Sequence, residues 1–265
     1  MTFTTTGLAH SLTSLGLIFC AFWFFKAFQH IGGLRSGRPL GILLSLLALG
    51  IAFNQSLFAL GSLFFVKNPE AFYAIIVVAN LVSAITAALG VYLAFYVLLP
   101  KFSPWPATII VLIYGLFVTT LLLITHPQPF ITPNGSVDYG ISRSVKPFFY
   151  YLWLITVGSP FLIFTKNFFS AVSKDVKMVS LIIVLATIFG FINTSVYYFS
   201  GIFKFIDDVR VFAYDGTLSI VGILLIMGFL IIPIVRGWIG RSAENTTSQK
   251  SDSQKSDVRG GKILS

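Results

Sequence analysis

Seven apolar runs, each about twenty residues or longer, dominate this chain of 265 residues. They cover Leu8–Phe28, Leu40–Val66, Phe72–Leu99, Ala107–Thr125, Pro147–Lys166, Met178–Ser200 and Tyr214–Trp238. A helix of about 20 mainly apolar residues spans the roughly 30 Å hydrocarbon core of a bilayer. In lipid the backbone must satisfy its own hydrogen bonds, so runs of this length fold as helices. The gaps join helix breakers to charge: Gly32, Gly33, Arg35, Arg38 and Pro39 in the first; Lys67, Asn68, Pro69 and Glu70 in the second; Pro100, Lys101, Pro104 and Pro106 in the third. The expected fold is all-α, a polytopic membrane protein with a seven-transmembrane-helix bundle over 1–241. A polar tail over 242–265, carrying a repeat of Ser-Gln-Lys-Ser-Asp, is expected to be disordered and cytoplasmic.

Charge supports this reading and orients it. Only 10% of residues are charged and 56% are apolar, against roughly 25% charged in soluble domains. The net charge of +9 is spread between apolar runs, so it reads as membrane topology and not as a nucleic-acid surface. Residues 1–25 hold no Lys or Arg, so the first run lacks the basic flank of a cleaved signal peptide. With the N-terminus outside and the C-terminus inside, the inner face collects 13 basic residues against 5 on the outer face. The lipid bilayer is thus the first expected partner, and a multi-pass bacterial inner-membrane location is the default. The single cysteine, Cys20, lies within the first run and can form no intramolecular disulfide.

The spans hold no Asp, Glu, Lys or Arg at depth. Ion-coupled transporters and voltage sensors place such groups in the membrane, so those classes are disfavoured. The last span also lacks the lysine that a retinal Schiff base requires. The three histidines, His10, His30 and His126, make no zinc-type pair. No phosphate loop or activated nucleophile stands out. The chain is therefore expected to be no enzyme and to hold no cofactor or metal.

Amides take the place of charges. Asn54 and Gln55 lie in the second span, Asn80 in the third and Asn193 in the sixth. At about 1.5 Å per residue, Asn193, Asn80 and Asn54 lie about 10, 13 and 18 Å from the outer ends of their spans. An unpaired amide in hydrocarbon costs several kcal/mol, so each must face protein or a cavity. Two readings stand: interhelical hydrogen bonds, or an outward-facing ligand pocket. Tyr197 shares a helix face with Asn193 at i, i+4. His126 ends the fourth span, His10 lies near the outer end of the first, and Asp215 opens the last. The candidate ligand-binding set is Asn54, Gln55, Asn80, His126, Asn193 and Tyr197. In the third span Ala79, Ser83 and Ala87, with Asn80, Ala84 and Ala88, form small-residue rows that allow close helix approach. Pro160 interrupts the fifth span and frees a backbone carbonyl.

The longest loop runs from His126 to Lys146. Asn134-Gly135 between Phe130-Ile131-Thr132 and Val137-Asp138-Tyr139 predicts a short outer β-hairpin between helices 4 and 5. Thr125-His126-Pro127, the Gly135 hairpin and the aromatic fifth span resemble the seven-helix N-terminal sensory module of bacterial membrane histidine kinases, over about 110–240. The resemblance implies a sensor. Those kinases continue into a cytoplasmic catalytic region, whereas 24 residues follow Arg241 here. A stand-alone sensor would need a cytoplasmic signalling partner.

The leading expectation is a receptor-like protein that binds a small neutral or amphipathic ligand from the outer side. A small facilitative transporter of a neutral solute is the alternative, since the interior is uncharged. Spans 1–3 and 5–7 show no clear repeat, which counts against it. A structural subunit of a membrane complex is the third class.

Overall fold

The computed structural model describes residues 4–30, 37–172, 174–199, 211–231 and 233. Seven helices are long and apolar enough to cross a membrane, and the fold is an all-α bundle of a multi-pass protein. The spans are built on α1 (Thr5–His30), α2 (Gly37–Leu60), α3 (Pro69–Leu98), α4 (Trp105–Thr125), α5 (Lys146–Ser170), α6 (Lys174–Phe199) and α7 (Gly216–Ile226), the last within the span Ala213–Ile231. A π-helical turn, Gly61–Phe65, extends α2, and two others, Val211–Asp215 and Met227–Ile231, flank α7.

Helix ends extend past the apolar runs where local chemistry permits. At the start of α3 the Asn68 side chain accepts from the Ala71 N–H at 3.2 Å, and Pro69 occupies the first turn, where its missing donor costs nothing. The helix therefore begins at Pro69 and not at Phe72. Likewise α6 begins at Lys174, since a polar first turn can remain helical beyond the hydrocarbon.

Neighbour relations define the architecture. α1 packs on α2, α2 on α3, α3 on α5, α5 on α6, α6 on α7, and α7 returns to α1. Six helices thus form a closed ring. α4 stands outside it, packed mainly on α3. The small-residue rows of α3 lie in its seams. A Cβ on Gly115 of α4 would stand 2.2 Å from the Ala84 Cβ, and one on Gly50 of α2 would stand 2.6 Å from the Thr86 hydroxyl. Ala79, Asn80, Ser83, Ala84, Ala87 and Ala88 are all buried.

Between α4 and α5, β1 (Phe130–Ile131) and β2 (Val137–Asp138) form a two-stranded antiparallel ladder, Phe130 facing Asp138 and Ile131 facing Val137. Gly135 takes φ +81° in the connecting turn, where a side chain would be strained. The start of α1 is fastened to this ladder. The Val137 N–H donates to the Thr6 hydroxyl at 2.9 Å, and the Thr6 and Ser136 hydroxyls lie 3.0 Å apart. This end of the bundle is called the hairpin end below.

The tail over 242–265, the basic residues Arg35, Arg236 and Arg241, and the charged loop residues Lys204, Asp207, Asp208 and Arg210 lie outside the described residues.

Candidate functional site

The ring is not filled along its axis. A cavity of about 110 Å³ is walled by α1, α2, α5, α6 and α7. Its walls include Leu17, Leu47, Ile51, Val157, Ile183 and Val221, and Cys20 contributes a small thiol. Pro160 also lines it, and as proline donates no hydrogen bond, the Thr156 carbonyl one turn earlier lacks its helical partner. At the end remote from the hairpin, aromatic rings close the space. Phe24 stacks on Phe164 with ring centres 5.6 Å apart and meets Phe229 at 6.2 Å.

A smaller chamber of about 30 Å³ continues toward the hairpin end. His10, Phe58, Tyr139, Tyr197 and Tyr214 line it. Gln55, Trp153, Asn193, Thr194 and Leu218 line both spaces and form a neck between them. A site this size holds a water or a small polar group.

The polar chamber rests on a chain of hydrogen bonds. His10 Nδ1 contacts Gln55 Oε1, and His10 Nε2 lies 2.6 Å from the Tyr139 hydroxyl. An amide oxygen only accepts, so Nδ1 carries the proton and Nε2 accepts from Tyr139. The His10 ring stacks on Phe58 with centres 5.3 Å apart. Tyr139 lies in the loop segment after β2. Burial, with Tyr214, Tyr197 and Asp215 close by, pushes its hydroxyl well above the usual phenol range. It therefore remains a donor at physiological pH.

Among the described residues, no Asp, Glu, Lys or Arg lines either space. Two charged groups stand behind the aromatic wall. The Asp215 carboxylate accepts from the Thr5 and Thr6 hydroxyls at 2.5 and 3.1 Å. It also precedes the first turn of α7, where the helix dipole favours an anion. The Lys146 ammonium lies 5.2 Å from the centre of the Tyr197 ring, within cation–π range.

Of the six candidate residues, the structure brings Gln55, Asn193 and Tyr197 together around the polar chamber. Asn54 and Asn80 line neither cavity. Asn54 Nδ2 donates to the Ala79 carbonyl at 2.5 Å and to the Ser83 hydroxyl at 2.7 Å, which ties α2 to α3. Asn80 Nδ2 donates to the Thr119 hydroxyl at 2.7 Å and ties α3 to α4. Both are interhelical contacts of the first reading above. His126 lies away from the cavity as well. It ends α4 with φ +43° and stands at the surface, 3.2 Å from a Glu70 carboxylate oxygen. A residue before proline avoids the right-handed helical region, and Pro127 follows it, so its role here is to end the helix.

His10 and Tyr139 are site residues outside the candidate set. An ionisable side chain within an apolar span is the signal that marks His10. Tyr139 carries no such mark, since an aromatic residue beside a hairpin is commonplace. No protein-family model matches the chain, and no curated protein or solved structure shows significant similarity to it.

Proposed function

We propose that the protein is a receptor-like membrane protein that takes a small neutral or amphipathic ligand into the ring from outside the cell. The observation that carries this reading is the cavity itself. An apolar space of about 110 Å³ lies on the ring axis, and leaving such a space unfilled would cost about 2–3 kcal/mol at roughly 24 cal/mol per Å³. A subunit with a purely structural role gains nothing from such a space, whereas a ligand-binding protein fills it. The hairpin end faces outward in this reading, in keeping with the distribution of basic residues. The ladder then acts as the outer lid. Ligand binding shifts the population of ring arrangements, and a cytoplasmic partner reads the change at the inner ends of the helices.

A ligand screen by thermal stability tests the reading. At a concentration a hundred times its dissociation constant, a ligand stabilises the fold by about 2.7 kcal/mol, which is a shift of several degrees. The shift is expected in the wild type and not in Gln55→Leu. No shift with any small neutral or amphipathic compound refutes binding.

The aromatic clusters at both ends favour a second reading. A cavity flanked by ring clusters on two sides suits a facilitator that opens alternately, and its uncharged lining suits a neutral solute. Counterflow of a bound solute in proteoliposomes separates the two, since a receptor binds without net exchange.

A further inference from the structure

We infer that the ligand is an uncharged single-chain amphiphile, its polar head seated between Gln55 and Asn193 and its alkyl chain lying along the ring axis toward Phe24 and Phe164. This rests on the ligand-binding reading above and makes it chemically specific.

The head is defined by what the neck leaves unused. Gln55 is 4% exposed and engages His10 through its Oε1, and its Nε2 meets no hydrogen-bond partner among the described residues. Asn193 is 8% exposed and spends its Nδ2 on the Tyr214 carbonyl at 2.7 Å and the Thr217 hydroxyl at 3.3 Å. Its Oδ1 meets no partner among the described residues. The neck thus offers one donor and one acceptor on facing helices. Buried polar atoms are normally paired, and a hydroxyl or carboxamide supplies both complements.

The chain is defined by what lies below. The threonines of the larger cavity offer no spare donor. The Thr13 hydroxyl donates to the Leu218 carbonyl at 2.8 Å, Thr156 to Leu152 at 2.9 Å and Thr187 to Val184 at 2.8 Å. A cavity with apolar walls stays dry and takes apolar guests. From Thr13 to Phe24 on α1, and from Trp153 to Phe164 on α5, the wall extends about 16 Å. That is about half the roughly 30 Å hydrocarbon core. The volume of about 110 Å³ suits one chain and not two.

Charge is excluded by the same walls. A carboxylate, quaternary ammonium or phosphate at the neck would be buried with no counter-ion among the described residues that line the space, at a cost of several kcal/mol. An alkyl chain of this kind can also come from a bilayer phospholipid, so the test separates the two sources.

The full chain is reconstituted in phospholipid nanodiscs and challenged with decanol, decanamide, decanoate, decyltrimethylammonium and decane. Thermal midpoint and native mass spectrometry are the readouts. Decanol and decanamide are expected to bind one per protein and raise the midpoint by several degrees. The charged amphiphiles and decane should bind at least about tenfold more weakly, as expected for an unpaired buried polar group. Across the alkanols from butanol to tetradecanol the shift should peak at intermediate length. Gln55→Met removes the free donor and should weaken decanol about tenfold. Ala48→Leu fills the chain compartment without touching the neck, so it should raise basal stability and abolish the decanol shift. It carries the test should Gln55→Met fail to fold. Equal shifts from charged and neutral amphiphiles overturn the proposal, as does a phospholipid retained at one copy per protein. Binding of short polar solutes alone overturns the amphiphile and leaves the ligand-binding reading standing. Failure of every compound removes both.

Discussion

His10 Nε2 lies 2.6 Å from the Tyr139 hydroxyl, across 129 residues of chain. The contact fixes the segment after β2 onto α1, above the cavity. The second ring nitrogen meets Gln55 on α2, 45 residues away. Three separate elements thus meet on one imidazole, and the polar chamber exists because they do.

Removing the Tyr139 hydroxyl leaves His10 Nε2 buried without its donor. Tyr139→Phe is therefore expected to destabilise the protein by about 1–3 kcal/mol. Hydrogen exchange should quicken at the hairpin end before it changes in α3 or α6. An unchanged thermal midpoint would remove this contact from the account of the lid.

The two kinds of buried amide should separate by experiment. Asn80→Leu loses one interhelical bond, worth about 0.6 kcal/mol and up to 1–2. Its Oδ1 meets no partner among the described residues, which keeps the net cost near the lower value. Any ligand-induced shift should survive in Asn80→Leu and vanish in Gln55→Leu. The reverse pattern would move the site to the α3–α4 seam.

Gly115 packs face to face with Ala84, and an added Cβ would stand 2.2 Å from the alanine methyl. Gly115→Val should cost about 1–3 kcal/mol, the usual range for overpacking. Since α4 lies outside the ring, loss of stability should come with little loss of ligand affinity. Thermal midpoint and binding measured on one preparation check both halves.

Cys20 is 4% exposed and lines the larger cavity. Charged thiol reagents should fail to label it from either side of the membrane until the protein is unfolded. A small neutral maleimide should label it slowly, and a bound ligand should slow it further. Rapid labelling by a charged reagent would mean a water-filled path to the ring axis.

Sidedness can be read in whole cells. In a Cys20→Ser background, Asn134→Cys at the hairpin turn should react with an impermeant maleimide from outside. Val172 is 99% exposed at the opposite end, and Val172→Cys should react only after permeabilisation. The opposite result inverts the topology.

The helices were legible because hydrocarbon imposes one requirement, a long apolar run, and breakers with charge mark its ends. The ends were less legible. A capped turn such as Asn68-Pro69 extends a helix beyond its apolar run, so apolarity alone starts α3 too late. The site was half legible. Asn54 and Gln55 are neighbours in the chain, yet successive helix positions diverge by about 100°. One meets α3 and the other faces the ring axis. Residue type shows that each amide needs a partner, but which face looks inward depends on where the other helices stand. His10 showed itself as an ionisable group in a span, while its partners, 45 and 129 residues away, leave no local trace.

Closure of the ring joins the first helix to the last. The Thr13 hydroxyl of α1 is satisfied by the Leu218 carbonyl, 205 residues downstream. At a translation rate of 5–20 residues per second, roughly ten to forty seconds separate the synthesis of these two groups. During that interval α1 lacks its final neighbour, and nothing can yet enclose a ligand. On the ligand-binding reading, a nascent chain acquires its compartment in one late step, when α7 docks against α1. Truncation within α7 should remove the compartment while α1 to α6 still insert, so any binding would report that α7 has docked.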